Sequence, residues 1–255
     1  MNYDRQETIK RLLNENNIVY LKDLEKLFPD VSSMTLRRDI EKLEFQGIAQ
    51  KIRGGAKRTV FDSSSAHEPA YSHRATVNMD IKTRLARNAV KFIESGRAVF
   101  LDSGTTTMEL AKLLPDIKLS ILTTGPNIAI EASKRYSTTV NMVGGTINSN
   151  NCAVSGMQAL SFIKSINIDI AFTTPSGYSQ SGGFTVGNYA DCEVKRAIIK
   201  KANKVVMLMS SDKLDKSLPF TFATLKDIDV LITDGVLEES ILKTAERSGI
   251  EIIRV

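Results

Sequence analysis

Cysteine is scarce: Cys152 and Cys192 are the two in 255 residues, far apart and outside any CxxC or Cys/His cluster. That spacing signals neither a disulfide framework nor a zinc site, and it fits a reducing cytoplasm. Long apolar runs are missing as well. No window reaches the roughly 18 apolar residues of a membrane span. Met1 to Arg11 carries Asp4, Arg5, Glu7 and Lys10 with no apolar stretch, so no secretory leader is expected. There is no internal repeat and no low-complexity tract. Nor does one sign of charge dominate, since 34 Lys and Arg face 29 Asp and Glu for a net charge of +5.

What is present is a chain 42% hydrophobic, enough for a small and a medium domain, with its charge unevenly spread. Residues 1–60 hold 12 Lys and Arg against 9 Asp and Glu, so the first quarter carries +3 of the +5. Within it, residues 48–60 contain Lys51, Arg53, Lys57 and Arg58 and no acid. Such a run suits phosphate contact, although basic runs are commonly solvated faces.

Periodicity divides this first quarter into three short helices and a hairpin. Ile9, Leu12 and Leu13 fall at helical spacing within residues 4–15, and Ile18-Val19-Tyr20 is a short strand. A second helix over Leu21–Phe28 is stopped by Pro29-Asp30. Ser32 or Ser33 then caps a third helix whose Leu36, Ile40 and Leu43 share one face and whose end falls at Gly47. Residues 48–52 follow as a strand, and Gly54-Gly55 can supply the positive φ of a tight turn, which makes a wing. This reading places a winged helix-turn-helix over residues 1–60 and a linker over 61–73, where Asp62 to Ser65 is polar.

Residues 74–255 alternate strand and helix. Strands are expected at 98–101, 119–123, 139–143, 168–172, 205–209, 230–233 and 250–255, with helices at 105–114, 127–135, 189–202 and 237–248. Repeated βα units imply an α/β domain with a mainly parallel sheet.

In the third helix the buried face takes Leu36, Ile40 and Leu43, which leaves Met34, Thr35, Arg37, Arg38, Glu41 and Lys42 exposed. A helix entering the major groove reads bases with its first turns, arginine being the commonest partner of guanine. Ser32, Ser33, Met34, Thr35, Arg37, Arg38 and Lys42, with Lys51, Arg53 and Gly54 of the wing, are therefore the candidate DNA contacts. The competing reading is a solvated face in which Arg38 pairs with Glu41 or Lys42 with Asp39.

The strand at 98–101 runs into Asp102-Ser103-Gly104-Thr105-Thr106-Thr107 and a helix, a loop able to aim amides and hydroxyls at an anion. Asp102 would repel a phosphate, so it accepts from sugar hydroxyls or caps the loop. An empty turn in which Ser103 or Thr105 is simply an N-cap stands equally well. Gly144-Gly145, Gly182-Gly183 and Ser211-Asp212-Lys213 fall at other strand ends, where α/β sheets gather ligands.

The ordered set Val31-Ser32-Ser33-Met34-Thr35-Leu36-Arg37-Arg38-Asp39-Ile40, Leu43-Glu44, Gly47 and Arg53-Gly54-Gly55-Ala56 resembles the DeoR family of regulators. Glu68-Pro69, Arg74, Lys82, Gly96, Leu101 to Thr107, Gly144-Gly145, Ser155-Gly156, Lys195-Arg196, Lys213 and Thr233-Asp234 extend the resemblance to nearly the whole chain. Arg53 stands where the family has histidine, Ser210 where it has aspartate and Asp191 where it often has glutamate, and Pro29-Asp30 lengthens the turn by one residue. The resemblance implies a C-terminal domain similar to ribose-phosphate isomerase that binds a phosphorylated sugar. It also implies a repressor of carbohydrate-metabolism genes, released from its operator by that sugar. By the same resemblance Asp102, Gly104, Thr105, Thr106, Gly144, Gly145 and Lys213 form the effector site, with Ser103 and Thr107 in the same loop. A homo-oligomer, dimer or tetramer, is expected on double-stranded DNA; no cofactor, metal or membrane is. The other class considered is a sugar-phosphate isomerase with a DNA-binding appendage. It lacks the second carboxylate motif and lysine-glycine loop such isomerases carry.

Overall fold

The computed structural model describes residues 2–45, 48–58 and 68–255. The expected C-cap at Gly47 and the polar linker segment Asp62 to Ser65 lie outside the described residues. The described residues form two compact units, one before residue 59 together with Pro69–Val77, the other Glu68 with Asn78–Val255. Among them no helix is long and apolar enough to cross a membrane.

The first unit contains α1 (Asn2–Asn16), β1 (Ile18–Tyr20), α2 (Leu21–Leu27), α3 (Ser33–Phe45), β2 (Ala49–Ile52), β3 (Gly55–Arg58) and α4 (Tyr71–Arg74). Ile9 and Leu13 of α1, Leu21 and Leu24 of α2, and Leu36, Ile40 and Leu43 of α3 bury one common core. Their i, i+3, i+4, i+7 spacing is the reason each segment is helical. The short sheet runs β1-β3-β2, antiparallel throughout.

The wing turn differs from expectation in one respect. Gly54 alone has positive φ, at 81°, while Gly55 is the first residue of β3. Gly55 is needed for proximity instead, because a Cβ there would lie 2.3 Å from the Val19 carbonyl oxygen. At the end of the expected linker over 61–73, Tyr71–Arg74 close one helical turn.

The second unit runs α5 (Met79–Ala89), β4 (Ala98–Leu101), α6 (Thr105–Lys112), β5 (Leu119–Thr123), α7 (Pro126–Ala132), β6 (Thr138–Met142), β7 (Thr146–Asn148) and β8 (Ala153–Ser155). It continues through α8 (Met157–Lys164), β9 (Ile168–Thr173), β10 (Gly177–Ser179), β11 (Gly183–Val186), α9 (Tyr189–Lys201) and β12 (Ala202–Met209). It ends with β13 (Phe220–Ala223), β14 (Val230–Thr233), α10 (Glu239–Arg247) and β15 (Glu251–Arg254). Seven strands make one wholly parallel sheet in the order β15-β14-β12-β9-β4-β5-β6.

Both faces of that sheet are covered, which is why its strands read as continuous apolar runs. Val99 and Leu101 of β4 face α5, α6 and α7 with Leu85, Leu110 and Ile128. Phe100 faces the other way, against Ile163 of α8 and Val194 and Ile198 of α9. Along the sheet, connections step one way from β4 to β6 and the opposite way from β9 to β15. The reversal falls between β4 and β9, and at such a switch point the loops part to leave a crevice at the strands' carboxyl ends.

A second antiparallel sheet, β10-β11-β13, has no counterpart among the expected strands. It takes in Gly182-Gly183, which turn the β10–β11 hairpin and do not join the loops of the main sheet. Gly183 has φ 68° and a Cβ there would lie 2.5 Å from the Ala223 carbonyl oxygen, so both the turn and close packing require that glycine.

Candidate DNA-reading surface and effector site

Helix α3 begins with its hydroxyls already engaged. Ser32 Oγ accepts the Thr35 amide at 3.2 Å and lies 2.9 Å from Thr35 Oγ1, which makes Ser32 the N-cap. Ser33 Oγ donates to Glu25 Oε1 at 2.5 Å, tying α3 to α2 across the turn. Asp39 is buried, accepting from Arg5 Nε at 2.5 Å and Gln6 Nε2 at 3.1 Å. It therefore anchors α1 to α3 and is not the partner of Lys42 that a solvated face would need.

The outward face carries Met34, Arg37, Arg38, Glu41 and Lys42. Among the described residues no ion pair engages Arg37, Arg38 or Lys42, nor Arg53, Lys57 or Arg58 of the wing. Lys51 is different. Its Nζ meets Glu41 Oε1 at 2.6 Å and its amide donates to Glu44 Oε1 at 2.7 Å, so it braces the wing against α3. The Lys51 hydrogen bond and charge, joined by Arg38 and Arg37, hold the Glu41 carboxyl below its ordinary value. Gly54, at the wing tip, has open space around it.

In the second unit the loop after β4 lies at the switch point. Asp102 is 1% exposed and both of its carboxylate oxygens accept hydrogen bonds. Oδ1 takes the Ser103 amide at 2.9 Å; Oδ2 takes the Thr174 amide at 3.0 Å, Thr174 Oγ1 at 3.1 Å, Thr173 Oγ1 at 3.2 Å and Lys195 Nζ. Asp102 thus clamps β4 to the end of β9. Of the two roles expected for it, capping the loop is the one the geometry fits. Burial disfavours both charges of the Asp102–Lys195 pair, raising the carboxyl and lowering the ammonium. Their mutual attraction outweighs it, so the Asp102 carboxyl sits below, and the Lys195 ammonium above, its ordinary value.

Thr107 is likewise committed, its hydroxyl donating to the Asp102 carbonyl at 2.6 Å and the Gly104 carbonyl at 2.7 Å. Gly104, not Ser103 or Thr105, is the N-cap, and no side chain caps α6. A Cβ at Gly104 would fall 2.3 Å from Thr174 Oγ1, which explains the glycine. What remains is telling. The hydroxyls of Ser103, Thr105 and Thr106 and the amides of Thr105, Thr106 and Thr107 have no partner among the described residues.

Lys213 follows β12 at the same carboxyl edge, one strand beyond β9, and pairs with Asp212 at 2.9 Å. Burial pushes the Asp212 carboxyl up, but Lys213 holds it below its ordinary value overall. Gly144-Gly145 lies after the edge strand β6 and leads into the β7–β8 hairpin. Gly145, with φ 148°, approaches the Ser155 carbonyl so closely that a Cβ would be 2.4 Å away, a turn requirement. Thr173, Thr174 and Lys195 complete the site without having been singled out for it. The available signal was Lys195 falling on the buried stripe of α9 with Asp191, Val194 and Ile198.

The profile of the DeoR-like helix-turn-helix domain matches residues 5–60, and that of the DeoR C terminal sensor domain matches residues 77–235. The chain belongs to the DeoR family. One relative, the HTH-type transcriptional regulator GlpR of Haloferax volcanii, is 33% identical over 87% of this chain and 86% of its own. Another, the HTH-type transcriptional repressor GlcR of Bacillus subtilis, is 28% identical over 98% and 95%. This DeoR-family member is accordingly a transcriptional regulator and not an enzyme, with DNA bound through its helix-turn-helix and a C-terminal sensor domain. Ribose 5-phosphate isomerase A from Methanocaldococcus jannaschii is similar at a TM-score of 0.40 and 18% identity, over 54% of this chain and 55% of that one. At that distance a shared sheet says nothing of shared chemistry.

Proposed function

We propose that this regulator is a repressor of carbohydrate-metabolism genes, released from its operator when a phosphorylated sugar binds at the start of α6. One observation carries this reading: at the switch point, the α6 amides and the Thr105 and Thr106 hydroxyls have no protein partner among the described residues. A helix N-terminus with free donors favours an anion, and Lys213, at the same carboxyl edge, supplies a cation by leaving Asp212 for the phosphate. Asp102 is unsuited to act as an isomerase base, because its carboxylate is buried and engaged in five hydrogen bonds, four of them on Oδ2. A name of the form "transcriptional repressor" on a relative spanning nearly the whole chain supports repression.

Thermal-shift measurements with pentose and hexose phosphates test the effector. A sugar phosphate at 100 times its Kd should stabilise the protein by about 2.7 kcal/mol, while the unphosphorylated sugar should leave the melting temperature unchanged. An equal response to both would remove the phosphate from the reading.

For the DNA surface, the protein acts as one member of a two-fold pair, with α3 of each copy in the major groove of one half-site. Arg37→Ala or Arg38→Ala should weaken specific binding by about 1–3 kcal/mol if that arginine reads a base. Lys51→Ala, whose ammonium already meets Glu41, should weaken all sequences alike. Operator affinity unchanged in both arginine variants would rule out α3 as the reader.

A further inference from the structure

The first turn of α3 has an unusual division of labour. Its hydroxyls are exposed but engaged: Ser32 caps the helix and Ser33 donates to Glu25. Its cations, Arg37 and Arg38, are exposed and unpaired among the described residues. Between them and the turn stands Met34, an apolar side chain 63% exposed. On an α-helix Met34, Arg37, Arg38 and Glu41 lie at i, i+3, i+4 and i+7 and so share one face. Met34 is therefore flanked by the two guanidiniums offered to the groove.

An exposed methionine alone needs no explanation. Here its position selects a ligand, because the major-groove edge of DNA has one apolar group, the 5-methyl of thymine. A flexible thioether chain makes no hydrogen bond to a base acceptor or amine, but it fills the space beside a methyl group well. The serine flanking it cannot compete for that position while its hydroxyl is bound to Glu25.

We infer that Met34 is a specificity-determining residue that reads the 5-methyl group of a thymine next to the bases contacted by Arg37 or Arg38. This rests on the reading of α3 as the base-contacting helix, and it adds the kind of base recognised and the atom group that decides it.

The test uses the full-length protein and a duplex it selects from a randomised library. Each thymine of that duplex is replaced in turn by deoxyuridine, which removes the methyl while keeping the pairing and the O4 acceptor. At one thymine in each half-site the wild-type protein should lose about fourfold in affinity, the value of one buried methyl. Met34→Ala should bind the thymine and deoxyuridine duplexes equally well. Met34→Leu, still apolar, should retain most of the discrimination. Because each protein is compared with itself on two duplexes, a loss of folded material cannot imitate the result. Deoxyuridine tolerated at every position, or an equal loss in wild type and Met34→Ala, overturns the inference, the latter pointing to DNA shape.

A parallel series with 7-deazaguanine, read against Arg37→Ala and Arg38→Ala, separates the two levels. If loss of a guanine N7 is coupled to an arginine and no methyl is coupled to Met34, this inference alone falls. If neither is coupled, or no sequence is selected, the reading of α3 falls with it.

Discussion

Asp102→Asn should destabilise the C-terminal unit by about 3–5 kcal/mol, the cost of leaving a buried charge without its partner. The geometry behind this is the exposure of 1% for Asp102 and 6% for Lys195, whose ammonium is hydrogen-bonded to that carboxylate and to the Thr174 carbonyl at 3.0 Å. For a unit of this size the melting temperature should fall by roughly 6–20 °C. Asp102→Asn combined with Lys195→Met should recover most of the loss, since removing both charges is far cheaper than removing one. A single substitution costing under about 1 kcal/mol, or a double variant worse than the single, would show that the pair is not what holds β4 to β9.

The pH dependence follows from the same pair. Asp102 has a folded value below its unfolded one, so its contribution is complete above the ordinary carboxylate range and disappears as pH falls through the depressed value. Lys195 has a folded value above its unfolded one, so its contribution is complete below the ordinary lysine value and is lost as pH rises through the raised value. Between these limits stability should be flat. At the acid and alkaline ends, where one charge of the pair is left buried without the other, the wild type should lose stability relative to the double variant, which has neither charge.

Thr106→Asp should give a protein that binds operator as the wild type does and is not released by the sugar phosphate found in the thermal screen. A carboxylate in the first turn suits the α6 macrodipole, so folding should survive, while its charge repels the phosphate from the site. Thr106→Val removes only the hydroxyl. It should raise the concentration needed for release about 10- to 150-fold, the equivalent of one hydrogen bond to a charged group. Operator release measured by fluorescence anisotropy against effector concentration checks both. Release of the aspartate variant at the wild-type concentration would place the phosphate elsewhere.

The helices of the first unit were legible because a single apolar stripe dictates each one: Leu36, Ile40 and Leu43 specify both that α3 is a helix and which side it buries. The same holds for the main sheet, where short apolar runs between turn signals gave every strand from β4 to β6 and β9, β12, β14 and β15 within a few residues. Other elements were missed for identifiable reasons. In α5 the buried stripe includes Lys82, and a lysine there breaks the pattern that would announce a helix. The strands of the small sheet are three or four residues long, and β11 pairs with β13 some 35 residues later, beyond the reach of local pattern.

Residue type and spacing alone determined that this chain has a helix-turn-helix with an exposed, arginine-bearing helix face and a βα domain with a hydroxyl-rich loop after its first strand. Those features follow from local propensity and period, which act over a few neighbouring residues. Which of the loop's groups are spent and which remain available was decided only in three dimensions. Asp102, Thr107 and Ser33 are chemically equivalent in sequence to groups that could meet a ligand. They are taken by Lys195, by the loop's own carbonyls and by Glu25, partners that chain topology brings within 3 Å. Hydrogen bonds form only at such short range, so the assignment of these side chains waited on the fold.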